Sequence, residues 1–229
     1  MGPVVHGVSS LHGCVINASP DERYPDQPGF GTLACASPLR DTVIENLIFQ
    51  LWLLDARRKL RHLRPHLGVG ESILDIGCGV GSVTTLLRAE GHAVTPLDIR
   101  AQSLTATVVP VLFDGWHLPF DAERFDLALL LTVLHHAEDP EALLIEAARV
   151  ARRIVVIEDT YDNRAQRALT LATDSVVNLE FRGHPHNNRP DHEWRATFES
   201  LQLRVLHATT WPIAALFKQS LYLLEPARP

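Results

Sequence analysis

Cysteine, basic runs and long apolar runs are all scarce in this chain of 229 residues, and each scarcity removes a class of protein. Three cysteines, widely spaced and odd in number, argue against a disulfide framework. No run of lysine and arginine could track a phosphate backbone, and 27 acidic against 21 basic residues give a formal charge of −6. Nucleic acid is therefore not an expected partner. No apolar stretch approaches the ~20 residues that span a bilayer, so none is expected for the membrane either. Leu11-His12-Gly13-Cys14 has the outline of a lipoprotein cleavage site, but the basic and continuously apolar segments of a signal peptide are missing. The expected setting is the cytoplasm. Internal repeats and low-complexity tracts are absent as well.

What is present is a change of pattern along the chain. Residues 1–36 hold Pro, Gly, Ser and Asp without sustained periodicity. The expected division is an irregular arm over 1–40, a tail or a lid, followed by one domain over 41–229 with a substrate-binding insertion at about 160–200. From Asp41, Val43, Leu47, Leu51 and Leu54 recur at helical spacing, widened by Ile44, Ile48 and Trp52. That helix is expected to run to about Leu63, stop before Pro65, and pack on both a sheet and the arm. The basic stretch Arg57–Arg64 closes it, where positive charge complements the helix dipole.

From Glu71 short apolar strands alternate with helical patterns, as stacked βαβ units do. Strands are predicted at Ser72–Asp75, Ala93–Leu97, Val111–Phe113, Phe125–Leu131, Arg153–Glu158, Leu203–Ala208 and Phe217–Leu224. Helices are predicted at Val80–Glu90, Pro140–Ala151, Arg164–Val177 and from Asp191, as N-cap, to Ser200. The fold class is α/β: a doubly wound, mostly parallel seven-stranded sheet with helices on both faces.

In such a sheet ligands bind beyond the carboxyl ends of the strands. The first strand runs into Asp75-Ile76-Gly77-Cys78-Gly79-Val80-Gly81, and a helix follows at once. Glycines let a ligand approach the main chain, and the helix start offers free N–H groups. A glycine-rich turn made only for packing is the plain alternative. Ser82 stands where a dinucleotide fingerprint wants its third glycine, which favours S-adenosylmethionine over a pyrophosphate cofactor. The second strand ends in Asp98, placed to accept ribose hydroxyls, and the third in Asp114-Gly115-Trp116, where a carboxylate can take an adenine amino group.

With these residues in place, Ile73–Glu158 resembles the class I S-adenosylmethionine-dependent methyltransferases, especially the broad bacterial group with small-molecule and quinone enzymes. ILDIGCGVG (Ile73–Gly81) resembles their first motif, and Leu112–Val150 their segment from the third strand through the helix after the fourth. The resemblance implies that Gly77, Cys78 and Gly79 contact the methionine part of the cofactor, with Asp75 positioning the loop or reaching the amine through water. It implies Asp98 on the ribose, Asp114 and Gly115 on adenine, Trp116 over the ring, and Thr132, at the end of strand four, among the cofactor-facing residues. One departure is the missing glycine turn before strand five, where Arg149–Val155 reads RVARRIV.

The reaction implied is methyl transfer to an oxygen or nitrogen of a small-molecule acceptor, which needs alignment and, for a hydroxyl or protonated amine, a base. His135, in Leu134-His135-His136, is the first candidate base; its alternative is a packing and capping role. His184 and His186, in the expected loop Phe181–Arg189, are the next, against a reading as solvent-facing caps. Glu158 and Asp159 outline a metal-bearing pair, but strand four ends near Thr132 rather than at an acid, so no metal is expected. Trp52, Trp194 and Trp211 read as core, and Cys78 as a small loop residue rather than a nucleophile. A non-catalytic partner protein of the same fold and a nucleotide-cofactor oxidoreductase stay open as alternatives.

Overall fold

The structure, a computed structural model, describes residues 43–163, 166–168, 187–213 and 217–227. The arm over 1–40, nearly all of the helix expected at Arg164–Val177, and His184 and His186 lie outside the described residues.

The described elements are α1 (Val43–Leu63), β1 (Ser72–Ile76), α2 (Ser82–Ala89), β2 (Ala93–Asp98), β3 (Val111–Leu112) and β4 (Phe125–Leu131). They continue as α3 (Pro140–Val150), β5 (Ala151–Thr160), α4 (Asp191–Ser200), β6 (Leu203–Ile213) and β7 (Phe217–Pro226). Seven strands form one sheet in the order β3-β2-β1-β4-β5-β7-β6. The pairs from β3 through β5 are parallel, while β7 runs antiparallel to both β5 and β6. The chain winds outward from β1 to β3, then returns to the other side of β1 as β4. That reversal puts the switch point at the carboxyl ends of β1 and β4, where the glycine loop lies.

Continuous apolar runs make the central strands, because both sheet faces are covered. On one face Leu74, Ile76, Leu130, Ile154 and Val156 pack under α3 and α4, with Trp194 and Phe198 fully buried and stacked near Tyr222. On the other, Ile73, Leu127, Leu129, Val155 and Ile157 meet Leu60 and Leu63 of α1 and Leu87 of α2. Each of these side chains contributes about 1.5–3 kcal/mol of burial free energy. Helix α3 passes straight into β5, which accounts for the missing glycine turn: no turn is there to need one.

Several expectations are corrected. The buried stripe of α1 is Leu53, Ala56, Leu60 and Leu63, while Val43, Leu47, Ile48, Leu51 and Leu54 are exposed and Trp52 is half-buried. The reason is geometric. Helix α1 runs antiparallel to the central strands, with Lys59 beside the end of β4 and His66 beside the start of β5. Residues 43–54 therefore rise past the sheet edge, by about 1.5 Å each, where no strand can cover them. The helix closes through a 3-10 turn at Arg64–His66 that includes Pro65. The cap of α4 is Pro190; Asp191 sits in its first turn, accepting from Tyr222 Oη and Arg195 Nε at 2.8 Å each. The basic stretch also does more than complement a dipole: Arg58 and Lys59 pair with Asp55, and Arg64 with Glu90. Among the described residues no helix is long and apolar enough to cross a membrane.

Candidate functional site

The glycine loop is pinned from beneath. Gly77 and Cys78 N–H groups donate to Leu97 O at 2.8 and 3.0 Å, and Gly81 N–H closes a turn on Cys78 O at 2.9 Å. Two of its glycines serve different ends. Gly77 (φ +70) has no room for a side chain, since a Cβ there would lie 2.6 Å from Val133 Cγ2. Among the described residues nothing lies within 4 Å of that position on Gly79 (φ +53). One glycine is needed for packing, and the other faces an open cradle.

Asp75 anchors the loop to the helix behind it. It is buried, and Thr84 Oγ1 of α2 donates to its Oδ2 at 2.6 Å. Burial pushes its carboxyl up to about 6, against the opposing pull of the Thr84 hydrogen bond. Cys78 is buried too, and desolvation raises its thiol further, so it is not a nucleophile.

Asp98, at the end of β2, accepts from Gly79 N–H at 2.8 Å and from Arg100 N–H at 3.0 Å. Each oxygen keeps a second lone pair for a hydroxyl. Beyond it, Asp114 Oδ1 accepts from the Trp116 and His117 N–H groups at 2.7 and 2.8 Å, which hold its carboxyl below the ordinary range. Trp116 is 44% exposed and Ile99 54%. A Cβ on Gly115 would lie 3.7 Å from Ile99 Cγ2. Gly115, Ile99 and Trp116 together offer an apolar surface for a flat ring. Ile99 was not among the sequence candidates; its signal was an apolar residue directly after the strand-end acid.

The end of β4 carries the site's strain. Thr132 has φ +59, unusual for a β-branched residue, and its N–H donates to Ile157 O at 2.6 Å. Its hydroxyl accepts from Lys59 Nζ at 2.8 Å. Lys59 is nearly buried and also pairs with Asp55 at 3.0 Å. Sequence reasoning missed Lys59, since one lysine in a basic helix end gives no sign that it folds inward.

His135 lies just beyond, 2% exposed, its Nδ1 2.6 Å from Glu158 Oε2. Glu158, fully buried, also accepts from the Val133 and Leu134 N–H groups at 2.9 and 2.8 Å, capping the short 3-10 turn Leu134–His136. The first candidate base is thus locked into a buried pair that shapes the turn after β4. Asp159 is half-buried; Gln219 Nε2 of β7 donates to its Oδ1 at 2.8 Å, and burial raises its carboxyl above the ordinary range. Among the described residues no three His, Cys, Asp or Glu side chains converge as a metal-ion cage.

Comparison with known proteins places this geometry. Residues 74–155 match the family described as Methyltransferase domain. The chain is 33% identical over 107 residues to the demethylmenaquinone methyltransferase of Tropheryma whipplei, covering 42% of this chain and 44% of that protein. It is 27% identical over 123 residues to the ubiquinone biosynthesis O-methyltransferase of Klebsiella pneumoniae, covering 49% and 50%. The chain thus spans about half the length of the curated relatives it matches. A solved S-adenosylmethionine-dependent methyltransferase from Methanosarcina mazei superposes with TM-score 0.60 at 15% identity, covering 72% of this chain and 97% of that one. The 1,6-didemethyltoxoflavin-N1-methyltransferase of Burkholderia thailandensis, solved with S-adenosylhomocysteine, gives 0.57 at 20% identity, covering 76% and 78%. The fold is the Rossmann-like one of these solved methyltransferases, and the family match within it covers residues 74–155.

Proposed function

We propose that this chain transfers a methyl group from S-adenosylmethionine to an oxygen or nitrogen of a small-molecule acceptor. The observation that carries the proposal is the open space over Gly79, beside an Asp98 carboxylate already turned toward the same loop. Gly70 and Gly91 are equally open in surface turns, so it is the Asp98 carboxylate bonded to Gly79 N–H that marks this space out. In this reading Gly77, Cys78 and Gly79 hold the methionine part and Asp75 braces their loop. Asp98 takes the ribose, and Asp114, Gly115, Ile99 and Trp116 take adenine. Thr132, just past the end of β4, is a further cofactor-facing residue in the same reading.

Bound S-adenosylmethionine supplies a methyl group already activated by positive sulfur. The chain's own part is to align the acceptor, exclude water and accept a proton where the acceptor must lose one. His135 serves to fix the turn after β4, while His184 and His186 are proposed acceptor contacts. A small-molecule acceptor is supported by relatives named for quinone and toxoflavin methylation.

Calorimetric titration with S-adenosylmethionine and, separately, NAD tests the cofactor. Transfer of radiolabelled methyl to a panel of phenols, alcohols and amines tests the reaction. Binding of NAD in place of S-adenosylmethionine would overturn the reading.

A further inference from the structure

We propose that Asp159 accepts the acceptor's proton, so that the substrate class is one presenting an ionisable O–H or a protonated N–H beside the end of β5. The inference rests on the methyl-transfer reading and assigns its missing base.

Position comes first. Leu131 of β4 pairs with Ile157 of β5, and Ile76 of β1 with Leu130 of β4. Asp159 therefore stands in the last pleat at the carboxyl end of β5, about two strand spacings, ~10 Å, from the glycine loop. Side chains alternate along a strand, so Asp159 and Glu158 point to opposite faces. Glu158 faces α3 and is consumed by the turn after β4 and by His135. Asp159 faces α1, where Lys59 holds Thr132.

Availability comes second. The two oxygens of Asp159 differ: Oδ1 accepts from Gln219 Nε2, while Oδ2 accepts no hydrogen bond from the described residues. Gln219 is itself fixed, its Oε1 3.4 Å from Arg58 Nη2. Among the described residues the carboxylate is thus oriented through one oxygen, with the other left to take the proton. His135 offers no such access, being 2% exposed and committed to Glu158.

Charge comes third. Desolvation raises the Asp159 carboxyl, with Glu158 adding to it, while His135, the Gln219 hydrogen bond and Lys59 pull the other way. Asp55 of α1 partly neutralises Lys59 from the far side, and also pairs with Arg58. A carboxyl so raised has a higher proton affinity than an exposed one, as a general base requires. As the acceptor's X–H bond breaks, the proton passes to Oδ2. The electron pair left on X forms the bond to the methyl carbon, while the methyl–sulfur bond gives its pair to sulfur.

Carboxyl carbon NMR of the protein saturated with S-adenosylhomocysteine, compared with Asp159→Asn, decides the point without any acceptor. The resonance missing in the variant should titrate above the ordinary aspartate value of ~3.9. Titration at or below that value overturns the proposal. On the best acceptor of the panel, Asp159→Asn should lower kcat by about 10²–10⁴-fold and abolish the acidic limb of the pH profile. Its affinity for S-adenosylmethionine should be unchanged. Gln219→Leu, which deletes a hydrogen bond that favours the ionised form, should move that limb to higher pH. This second variant decides if Asp159→Asn does not fold. Normal cofactor binding with an unaltered rate sinks Asp159 alone, whereas failure of the wild-type protein to bind S-adenosylmethionine sinks the methyl-transfer reading beneath it.

Discussion

Gly77 and Gly79 stand two residues apart in one loop, both at positive φ, yet the same substitution should do opposite things to them. Alanine at either position meets the left-handed penalty of roughly 1–2 kcal/mol for an L-residue. At Gly77 the new methyl would also lie 2.6 and 2.9 Å from the two Val133 methyls, backed by the turn that Glu158 caps. Overpacking of that kind costs a further ~1–3 kcal/mol, so Gly77→Ala should lose about 2–5 kcal/mol of folding stability. At Gly79 nothing among the described residues lies within 4 Å, and only the conformational penalty applies. Gly79→Ala should therefore lose about 1–2 kcal/mol of stability, yet place its methyl in the space assigned to the cofactor. Urea unfolding of the two variants, paired with calorimetric titration of S-adenosylmethionine, separates the effects. The expected pattern is a large loss of stability for Gly77→Ala, and a small loss with markedly weakened binding for Gly79→Ala. If Gly79→Ala binds S-adenosylmethionine like the wild type, the open space is not the cofactor's cradle. If Gly77→Ala is no less stable than Gly79→Ala, the packing argument fails.

Four further outcomes are expected. Asp98→Ala should weaken S-adenosylmethionine binding by roughly 1.5–3 kcal/mol, the worth of hydrogen bonds to a charged group, as read by calorimetry. His135→Ala should lower stability by about 3–5 kcal/mol, because it strands one oxygen of a buried Glu158; a folded, stable variant with a crippled rate would restore His135 as the base. Asp75, whose carboxyl is raised from 3.8 to about 6, contributes stability that is complete below about 3.8 and lost as pH rises through about 6. Asp75→Asn keeps an acceptor for Thr84, so it should gain about 1–3 kcal/mol over wild type at pH 7, narrowing towards pH 4 in unfolding titrations. Excess EDTA should leave the transfer rate unchanged, and loss restored by a divalent ion would make Asp159 a metal ligand instead.

The seven strands, the alternation of helix and strand, and the place of the glycine loop were all legible in the residues. Strands of five and seven residues such as Ser72–Ile76 and Phe125–Leu131, mostly apolar, can be satisfied only between two covered faces, and the loop's glycines mark where backbone must bend. Strand-end acids are equally local, so Asp75, Asp98 and Asp114 could be read off the ends of their strands. What periodicity cannot carry is which strand ends become neighbours. His135 and Glu158 are 23 residues apart, and only the pairing of β4 with β5 makes them one buried unit rather than a base and a bystander. Lys59 and Thr132 are 73 apart, and their bond exists because α1 runs antiparallel to β4 and brings a lysine to the strand's end. The stripe Val43–Leu54 has the spacing of a core face, but a helix longer than the sheet it packs on must leave one end uncovered, and only the tertiary structure decides which.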